Sequence, residues 1–429
     1  MTSSTSNPEI QAAPHRHTAT RRTTCRFCGT PLEHTVIDLG AQPPCNSIIS
    51  PEHFNEAEAI YPLTAMVCHA CYLVQLETDV APDSIYTEYA YYSSFSDTWL
   101  DHARRYVESI SHQLRLGSES QVVELASNDG YLLQYFLKKG IPAYGIDPAA
   151  NVAKAAETRG VETIVTFFGE HTARHLVSVG RSADLIIANN VFGHIPDIND
   201  FVGGMKLLLK PGGTITIEIP HFMRLMEYNQ FDTIYHEHYC YHTLQADTRI
   251  FGAHGLRLFD VEELNTHGGS LRMFVCHADD GRQTSSRVGA LYGLETARGL
   301  DTLTSYAAFG EQVRETKRKL LTFLIEAKRV GKTVAGYGAP GKGNTLLNYC
   351  GIRSDFIDYV VDRNPYKQGN YLPGSRIPIY APDKLAATKP NYVLILPWNI
   401  KDEVMAQMAH VREWGGRFVV PIPEVQVLD

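Results

Sequence analysis

The stretch "QVVELASNDGYLLQYFLKKGIPAYGID", residues 121–147, decides the fold of this chain. It begins with an apolar strand, "QVVELAS", and continues through the turn "NDG" into "YLLQYFLKKG", which has helical spacing and closes on Gly140. A second strand, "AYGID", follows, and the later segments "ADLIIANN" and "TITIEIP" are strands separated by a helix and the turn "LKPGG". This alternation predicts a doubly wound α/β sheet that binds its ligand at the carboxyl ends of the strands.

Polar residues mark those strand ends. They are Glu124 in the first strand, Asn128 and Gly130 in the turn, Asp147 at the end of the second strand and Asn189 at the end of a later one. Asp147 could accept hydrogen bonds from both ribose hydroxyls of an adenosine ligand, although a helix-capping acid would explain it equally well. The turn lacks the G-x-G-x-x-G of a dinucleotide site, which indicates that no phosphate is held there.

Four of the eight cysteines form two C-x-x-C pairs, Cys25 with Cys28 and Cys68 with Cys71. Two such pairs can surround one tetrahedral zinc ion with four thiolates. This closed shell leaves no open coordination position, so the pattern predicts a structural zinc site in a small front domain. A redox dithiol or a chance pattern is the alternative.

Composition restricts the class of protein. The chain has 429 residues, a formal net charge of -8 and 44% hydrophobic residues, which suits two or three globular domains and argues against nucleic acid as a partner. No apolar run is long enough to span a bilayer, and the first 22 residues lack the apolar region of a secretory signal. We expect a cytoplasmic protein with a disordered tail, although the arginines near the start also allow a transit peptide.

A second Gly-rich turn lies in "TVAGYGAPGKGNTLLNYCGI", residues 333–352. Gly336, Gly338 and Gly341 match G-x-G-x-x-G, which taken alone indicates NAD binding. Too few residues remain for both a cofactor domain and a catalytic domain, and a lysine in a Gly-rich loop at a helix start suits a diphosphate. We therefore predict that this lobe holds the nucleotide end of a substrate. The candidate residues are Lys342, Asn344, Asp362, Arg363 and Lys367.

The segment "DTIYHEHYCYH", residues 232–242, could be a metal site, a proton-handling site or a polar loop. If "HEH" is a strand, His236 and His238 point to one side and Glu237 to the other. No second cluster with ligand spacing is evident, which disfavours a metal.

Two further segments carry candidate substrate-binding residues. "EYAYYSSFS", residues 88–96, is either a packed connector or a flap that brings Tyr91 and Ser94 to the cofactor or substrate. In "GGSLR", Arg272 could form a forked contact with a diphosphate.

The cysteine quartet, "ELASNDG", "YHEHY", "HGGSLR", "GYGAPGKGNTLLN" and "VVDRNPYKQGNYLPG" occur in that order. With them the chain resembles the sugar C-methyltransferases of deoxysugar biosynthesis, of the TDP-deoxysugar C-3 methyltransferase type. The resemblance implies a class I S-adenosylmethionine methyltransferase core and a nucleotide-linked, dTDP-type 4-keto-6-deoxysugar substrate, methylated next to its ketone.

The resemblance also implies roles for four residues. Tyr235, Glu237 and His238 are expected to line the active site with His238 as the favoured base, and His194 matches a further family histidine. From the chemistry of enolate formation we predict that His238 removes the ring proton, that Tyr235 and His194 stabilise the enolate oxygen, and that Glu237 orients a neighbouring group or a sugar hydroxyl. We predict a disordered tail at residues 1–23, a zinc-binding domain at 24–85, a methyltransferase domain at 86–300 and a Rossmann-like nucleotide-sugar domain at 301–429, in a monomer. The alternatives are an NAD-dependent oxidoreductase of a sugar nucleotide and a zinc-stabilised binding protein without catalysis.

Overall fold

The structure is a computed structural model that describes residues 19–86 and 92–429. The front part of the chain is a small, mainly β domain with one short helix. Its elements are β1 (Ala19–Arg21), β2 (His34–Gln42), β3 (Tyr61–Val67), β4 (Val74–Leu76), β5 (Thr78–Val80) and α1 (Asp83–Tyr86). Strand β1 pairs with β5, so residues 19–21, which the sequence assigned to a disordered tail, form part of a sheet.

The central part alternates strands and helices as predicted. Its first half contains α2 (Asp97–Gln113), β6 (Val122–Leu125), α3 (Leu133–Lys138), β7 (Ala143–Asp147), α4 (Ala150–Glu157), β8 (Thr163–Val165), α5 (Glu170–Ser178) and β9 (Ala183–Asn189). Its second half contains α6 (Ile198–Leu208), β10 (Leu209–Pro220), α7 (Phe222–Glu227), β11 (Cys240–Tyr241), α8 (Leu244–Ala253), β12 (Leu256–Leu264), β13 (Ser270–His277) and α9 (Ser286–Ala297).

Seven of these strands form one sheet in the order β12-β13-β10-β9-β6-β7-β8. Strands β10, β9, β6, β7 and β8 are parallel, and β13 runs against both of its neighbours. The middle strands are apolar and buried on both faces because helices cover both sides of the sheet. The predicted doubly wound sheet is confirmed, and the carboxyl ends of β6, β7 and β9 meet at one edge.

The last part of the chain is a second, smaller α/β lobe. It contains α10 (Leu303–Arg329), β14 (Val334–Tyr337), α11 (Gly341–Cys350), β15 (Val360–Val361), β16 (Ile379–Tyr380), α12 (Lys384–Thr388), β17 (Tyr392–Ile395), α13 (Lys401–Gln407), β18 (Arg417–Val420) and β19 (Gln426–Leu428). The sheet order is β16-β15-β14-β17-β18-β19, and only β19 is antiparallel. Strand β14 therefore lies in the middle of the sheet. The Gly-rich turn that follows it lies at the edge formed by the carboxyl ends of the strands.

The front domain is joined to the central part by shared strands. A four-stranded sheet has the order β11-β4-β3-β2, so β11 of the central part completes a sheet of the front domain. The backbone N–H of Leu76 also donates to the carbonyl of Tyr239 over 2.9 Å. The "YHEHY" segment consequently lies directly against the front domain. Across the described ranges, no helix combines the length and apolar character that a bilayer crossing requires.

Candidate active site at the junction of the three domains

The four cysteines of the front domain converge on one point. All four Sγ atoms lie within 4.8 Å of one another, with Cys25 and Cys71 separated by 3.6 Å and Cys28 and Cys68 by 3.5 Å. Four thiolates bound to zinc at about 2.3 Å in a tetrahedron would lie about 3.8 Å apart. The donor set and its spacing therefore fit a structural zinc ion held by these residues.

The turn after β6 is fastened to the end of β7. Asp147 accepts the backbone N–H of Asn128 on one carboxylate oxygen and that of Ala149 on the other, both over 2.9 Å. Burial raises the pKa of Asp147 and, more strongly, that of Glu124, which is 1% exposed at the end of β6. Each Asp147 oxygen keeps a further lone pair, so the carboxylate can also accept from a ligand's hydroxyl groups.

Several polar atoms at this sheet edge have no partner among the described residues. They include Oδ1 of Asn189 and both polar side-chain atoms of Asn190. Asn128 and Asn190 also have left-handed backbones, with φ of 51° and 53°, and such strain is concentrated at ligand sites. Gly130 has φ 74°, and a Cβ there would lie 2.9 Å from a Val161 methyl carbon. Unsatisfied polar groups around a tight turn fit a polar nucleoside ligand such as adenosylmethionine.

The segment before α2 lies against this turn. The Ser93 backbone N–H donates to Oδ1 of Asn128 over 3.0 Å, and the Ser94 hydroxyl donates to Asp129. Arg159 connects the two by donating to Oγ of Ser94 over 2.7 Å and to the carbonyl of Asp129 over 2.8 Å. Ser94 thus lies beside the turn after β6. Tyr91, the other residue predicted there, lies outside the described residues.

His238 forms the centre of the second half of the site. Its Nδ1 lies 2.8 Å from the carbonyl of Thr233, and its ring centroid is 4.0 Å from that of Tyr235 and 4.6 Å from that of His194. All three side chains are half-buried. Burial, followed by the neighbouring His194, holds the pKa of His238 well below its usual value. The imidazole is therefore neutral near pH 7, with the proton on Nδ1 and a lone pair on Nε2.

His194 is also held as an acceptor. The Tyr86 hydroxyl donates to the carbonyl of Glu237 and lies 2.9 Å from Nδ1 of His194, so its oxygen must accept the Nδ1 proton. Burial lowers the pKa of His194 to about 4. A neutral His194 with this tautomer has a lone pair on Nε2 and cannot donate to an enolate oxygen. The donor role that we predicted for His194 from the sequence is not consistent with this tautomer.

The "YHEHY" segment is a turn, so the strand alternation considered for "HEH" does not apply. The His238 backbone N–H donates to the carbonyl of Tyr235 over 2.9 Å, which closes the turn. His236 and His238 do not share a side as a strand would require. His236 is 1% exposed, with Nε2 3.3 Å from the carbonyl of Pro62, while His242 pairs with Asp247 over 2.7 Å. The three histidines thus have separate partners, and the described residues do not bring them together around a metal.

Glu237 faces the front domain. It is 3% exposed, and its Oε1 accepts from the side-chain amide of Asn46 over 2.7 Å and from the Cys45 thiol over 3.7 Å. Burial raises its pKa. A Cβ added to Gly341 would lie 2.8 Å from Sγ of Cys45, so the C-terminal lobe also packs here. All three domains meet around the turn.

The Gly-rich turn of the C-terminal lobe repeats the arrangement at Asp147. Asp362 accepts the backbone N–H of Ala339 over 2.7 Å, and Lys367 donates to the Ala339 carbonyl over 2.7 Å. Arg363 is exposed beside them. Asn344 instead donates to the carbonyl of Cys45 over 2.6 Å and is 1% exposed, so it contributes to the domain contact.

Lys342 projects from this turn toward the histidines. Its Nζ donates to Oδ1 of Asn399 over 2.9 Å and lies 4.6 Å from the Trp398 ring centroid. Burial lowers its pKa, while the nearby Asp232 raises it. The positive charge of Lys342 also contributes to lowering the pKa of His238 and His267.

Arg272 does not lie in the C-terminal lobe's turn. Its guanidinium donates to Glu218 over 2.6 Å and to Glu262 over 3.3 Å, within the central sheet. The guanidinium of Arg272 is thus already bound by the fully buried carboxylate of Glu218. The predicted contact of Arg272 with a diphosphate is therefore not supported.

Sequence reasoning missed two candidate site residues. Asn190 lies at the end of β9 with both side-chain atoms unpartnered among the described residues, and a pair of asparagines at a strand end was the available signal. His267 has φ 52° and a buried Nε2 without a partner there, and it lies against Trp99 with ring centroids 5.2 Å apart. The two glycines that follow it were the signal for an unusual backbone.

Comparison with known proteins decides the family. The chain is 36% identical to the C-methyltransferase NovU of Streptomyces niveus over 408 residues, which cover 94% of this chain and 96% of NovU. The chain belongs to the C-methyltransferase family. In this C-methyltransferase, residues 25–86 match a zinc binding domain, residues 99–261 a methyltransferase domain and residues 265–423 a C-methyltransferase C-terminal domain.

Two further relatives match shorter stretches of the chain. The C-methyltransferase is 25% identical over 117 residues to a ubiquinone biosynthesis O-methyltransferase of Bradyrhizobium sp. (strain ORS 278), covering 27% of this chain and 46% of that protein. An S-adenosylmethionine-dependent methyltransferase of Clostridium acetobutylicum superposes with a TM-score of 0.34 at 13% identity, covering 41% of this chain and 91% of that one.

Family membership confirms the predicted enzyme class. The C-methyltransferase has a class I methyltransferase core that uses S-adenosylmethionine and a zinc-binding front domain. The second Gly-rich turn had also allowed an NAD-dependent oxidoreductase. The match of that lobe to a C-methyltransferase domain favours the methyltransferase instead.

Proposed function

We propose that this C-methyltransferase adds a methyl group to a nucleotide-linked 4-keto-6-deoxysugar, at the carbon next to the ketone. The favoured nucleotide is dTDP and the favoured position is C-3. The observation that carries the proposal is the His238 imidazole, whose Nδ1 is fixed 2.8 Å from the carbonyl of Thr233. Its Nε2 lone pair is left for a proton on a bound substrate.

The chemistry requires a base of this kind. A C–H next to a ketone is acidic because the resulting carbanion delocalises onto the oxygen as an enolate. A positioned base contributes about 10²- to 10⁴-fold to such a step. Bound S-adenosylmethionine supplies an electrophilic methyl group. The protein's own task is therefore to remove the ring proton and to orient the two ligands.

Each half-buried group around His238 has a role that its hydrogen bonds permit. Nε2 of His238 takes the ring proton. The Tyr235 hydroxyl, whose ring packs 4.0 Å from that of His238, donates to the enolate oxygen. Nε2 of His194 accepts from a sugar hydroxyl, since its Nδ1 proton is already bound by Tyr86. Glu237 supports the turn from behind through Asn46.

The C-terminal lobe supports a nucleotide-linked substrate. Its turn begins α11 at Gly341, so backbone N–H groups of a helix start lie near Lys342, Arg363 and Lys367. A helix start next to three cationic side chains suits a diphosphate. The lobe meets the "YHEHY" turn, so a molecule held by its diphosphate there could present its sugar to His238.

A base test separates this mechanism from others. His238→Asn should abolish solvent-deuterium exchange at the carbon next to the ketone of dTDP-4-keto-6-deoxyglucose, and methyl transfer to it, while adenosylhomocysteine affinity is unchanged. His236→Asn is the matched control, since His236 belongs to the same turn but faces Pro62. Exchange at the wild-type rate in His238→Asn would remove His238 from this role.

Substrate identity needs a second experiment. The enzyme is incubated with S-adenosylmethionine and a panel of dTDP- and UDP-linked 4-keto-6-deoxysugars, and the methylated carbon is located by NMR. Methylation of the dTDP sugars at C-3 is expected. Turnover of none of the panel would overturn the proposed substrate class.

A further inference from the structure

Asp232, at the start of the "DTIYHEHYCYH" segment, is a buried carboxylate with no role in the proposed chemistry. Its exposed fraction is 0%. Its Oδ2 accepts the indole N–H of Trp398 over 2.7 Å, and its Oδ1 has no hydrogen-bond partner among the described residues. Trp398 begins a short 3-10 turn after β17, in the C-terminal lobe. One hydrogen bond therefore joins this lobe to the chain just before the catalytic turn.

Asp232 is adjacent to the group that orients His238. It lies in the 3-10 turn Phe231–Thr233, and the carbonyl of Thr233 is the acceptor for Nδ1 of His238 at 2.8 Å. The Thr233 backbone N–H and hydroxyl both bond the carbonyl of Gln230, over 3.1 and 2.8 Å, so the turn is internally tied. A displacement of Asp232 would thus be transmitted to the Thr233 carbonyl and to the imidazole.

The same turn is held by the C-terminal lobe at further points. The Phe231 ring packs edge-on against Tyr349 of α11, with centroids 5.5 Å apart. The Asn229 side chain donates to the carbonyl of Pro423 over 3.3 Å. Among these contacts, the buried hydrogen bond from Trp398 reaches the residue closest in sequence to Thr233, which is Asp232.

We infer that Trp398 is a positioning residue for methyl transfer: through Asp232 and the Thr233 carbonyl, the C-terminal lobe fixes the orientation and tautomer of the His238 imidazole. The inference rests on the proposed role of His238 as the base. The C-terminal lobe would then have two tasks: it would bind the nucleotide and it would orient His238. Proton removal is then efficient only when the C-terminal lobe is docked.

The test compares Trp398→Phe with Trp414→Phe in the full-length, zinc-loaded enzyme. Trp414 lies in the same lobe, and its indole N–H donates to the carbonyl of Pro390 over 3.0 Å, away from the turn. Trp398→Phe should lower kcat and the solvent-exchange rate of dTDP-4-keto-6-deoxyglucose by about 10- to 100-fold, as expected for a misplaced base. The KM for S-adenosylmethionine should not change. Trp414→Phe should keep wild-type kcat.

A second pair keeps the test valid if Trp398→Phe folds poorly. Asp232→Asn retains an oxygen that can accept the indole N–H, so it should stay within about threefold of wild-type kcat, whereas Asp232→Ala should fall as far as Trp398→Phe. Wild-type kcat in both Trp398→Phe and Asp232→Ala would overturn the inference alone, provided that His238→Asn is inactive. An active His238→Asn would overturn the proposed function and this inference with it.

Discussion

Nδ1 of His238 lies 2.8 Å from the carbonyl oxygen of Thr233. A carbonyl oxygen only accepts, so this contact places the imidazole proton on Nδ1 and leaves Nε2 as the basic atom. Because a main-chain atom sets the tautomer, side-chain substitutions can change it only by moving the turn. The orientation of the proposed base therefore depends on the contacts that hold residues 231–233 in place.

Asp232 predicts a pH dependence of catalysis. Burial raises its pKa to about 7, although Lys342 and the Trp398 hydrogen bond oppose the rise. Below that pH the protonated carboxyl is a weaker acceptor for Trp398 but keeps an oxygen that can accept the indole N–H, so kcat should decline by no more than about threefold as pH falls through 7. The pKa of His238 lies well below its usual value, so the base itself should not titrate there.

The measurement is kcat against pH for the wild type and Asp232→Asn. The wild type should show an acid limb near pH 7, and the amide variant should lack it because the amide does not ionise. The charged or titratable groups that interact with Asp232 are Lys342 and the Cys350 thiol, whose pKa is raised to about 12. The Cys350 thiol therefore does not ionise near pH 7. A limb that persists in Asp232→Asn would assign it to another group.

The two strand-end acids predict separable binding defects. Asp147→Ala removes the acceptor that holds the Asn128 N–H and that we propose to bind adenosine, and one or two lost hydrogen bonds correspond to about 1–3 kcal/mol. Adenosylhomocysteine affinity, measured by calorimetry, should fall about 10- to 100-fold. Asp362→Ala is the matched control, because it removes the equivalent acceptor of Ala339 in the other lobe. It should leave adenosylhomocysteine affinity unchanged and raise the KM for the sugar nucleotide.

The strand-end acids were predictable because their signal is local. A strand, a turn and a helix lie within 27 residues, so the alternation itself places Asp147 at the sheet edge. The sides of "HEH" could not be assigned from the sequence, because the segment is a turn and the two-residue alternation of a strand does not apply to it. The contact between Trp398 and Asp232 spans 166 positions, and no periodicity or motif indicates it. Only the packing of the C-terminal lobe on the central domain brings the two together.

Zinc removal should unfold the front domain. Cys71→Ser leaves three thiolates, and structural zinc can contribute about 10–16 kcal/mol of apparent binding energy to a small domain. The variant should lose stoichiometric zinc by elemental analysis and unfold at a lower temperature. Cys350→Ser is the control, since Cys350 is buried in α11 and outside the cysteine cluster. Full zinc content in Cys71→Ser would contradict the four-thiolate site.

The loss of the front domain should also reduce activity, although the zinc site is not catalytic. Strand β11 pairs with β4, and Glu237 is bound by Asn46, so the domain supports the turn that carries His238. Cys71→Ser should therefore lower kcat more than adenosylhomocysteine affinity. Equal losses of both would indicate general unfolding.

The last prediction concerns Glu218, which is 0% exposed and lies between Arg272 and His102. Burial alone would raise its pKa, but the hydrogen bond from His102 and the charge of Arg272 bring it down to about 2, from the usual value of 4.5. A folded pKa below the unfolded one adds stability above about pH 4.5, and that stability is lost as pH falls toward 2. The shift corresponds to about 3 kcal/mol, an order-of-magnitude figure.

Glu218→Gln should therefore lower the free energy of unfolding at pH 7 by about 3 kcal/mol, which is also typical of breaking a buried ion pair. The deficit relative to wild type, followed by urea unfolding, should shrink steadily between pH 4.5 and pH 2. Glu262→Gln is the control, because Glu262 binds the same Arg272 at 3.3 Å but is 34% exposed. Exposed pairs contribute about 0–1 kcal/mol, so its effect should be small at every pH. A constant deficit for Glu218→Gln across this range would show that packing, and not charge, explains the loss.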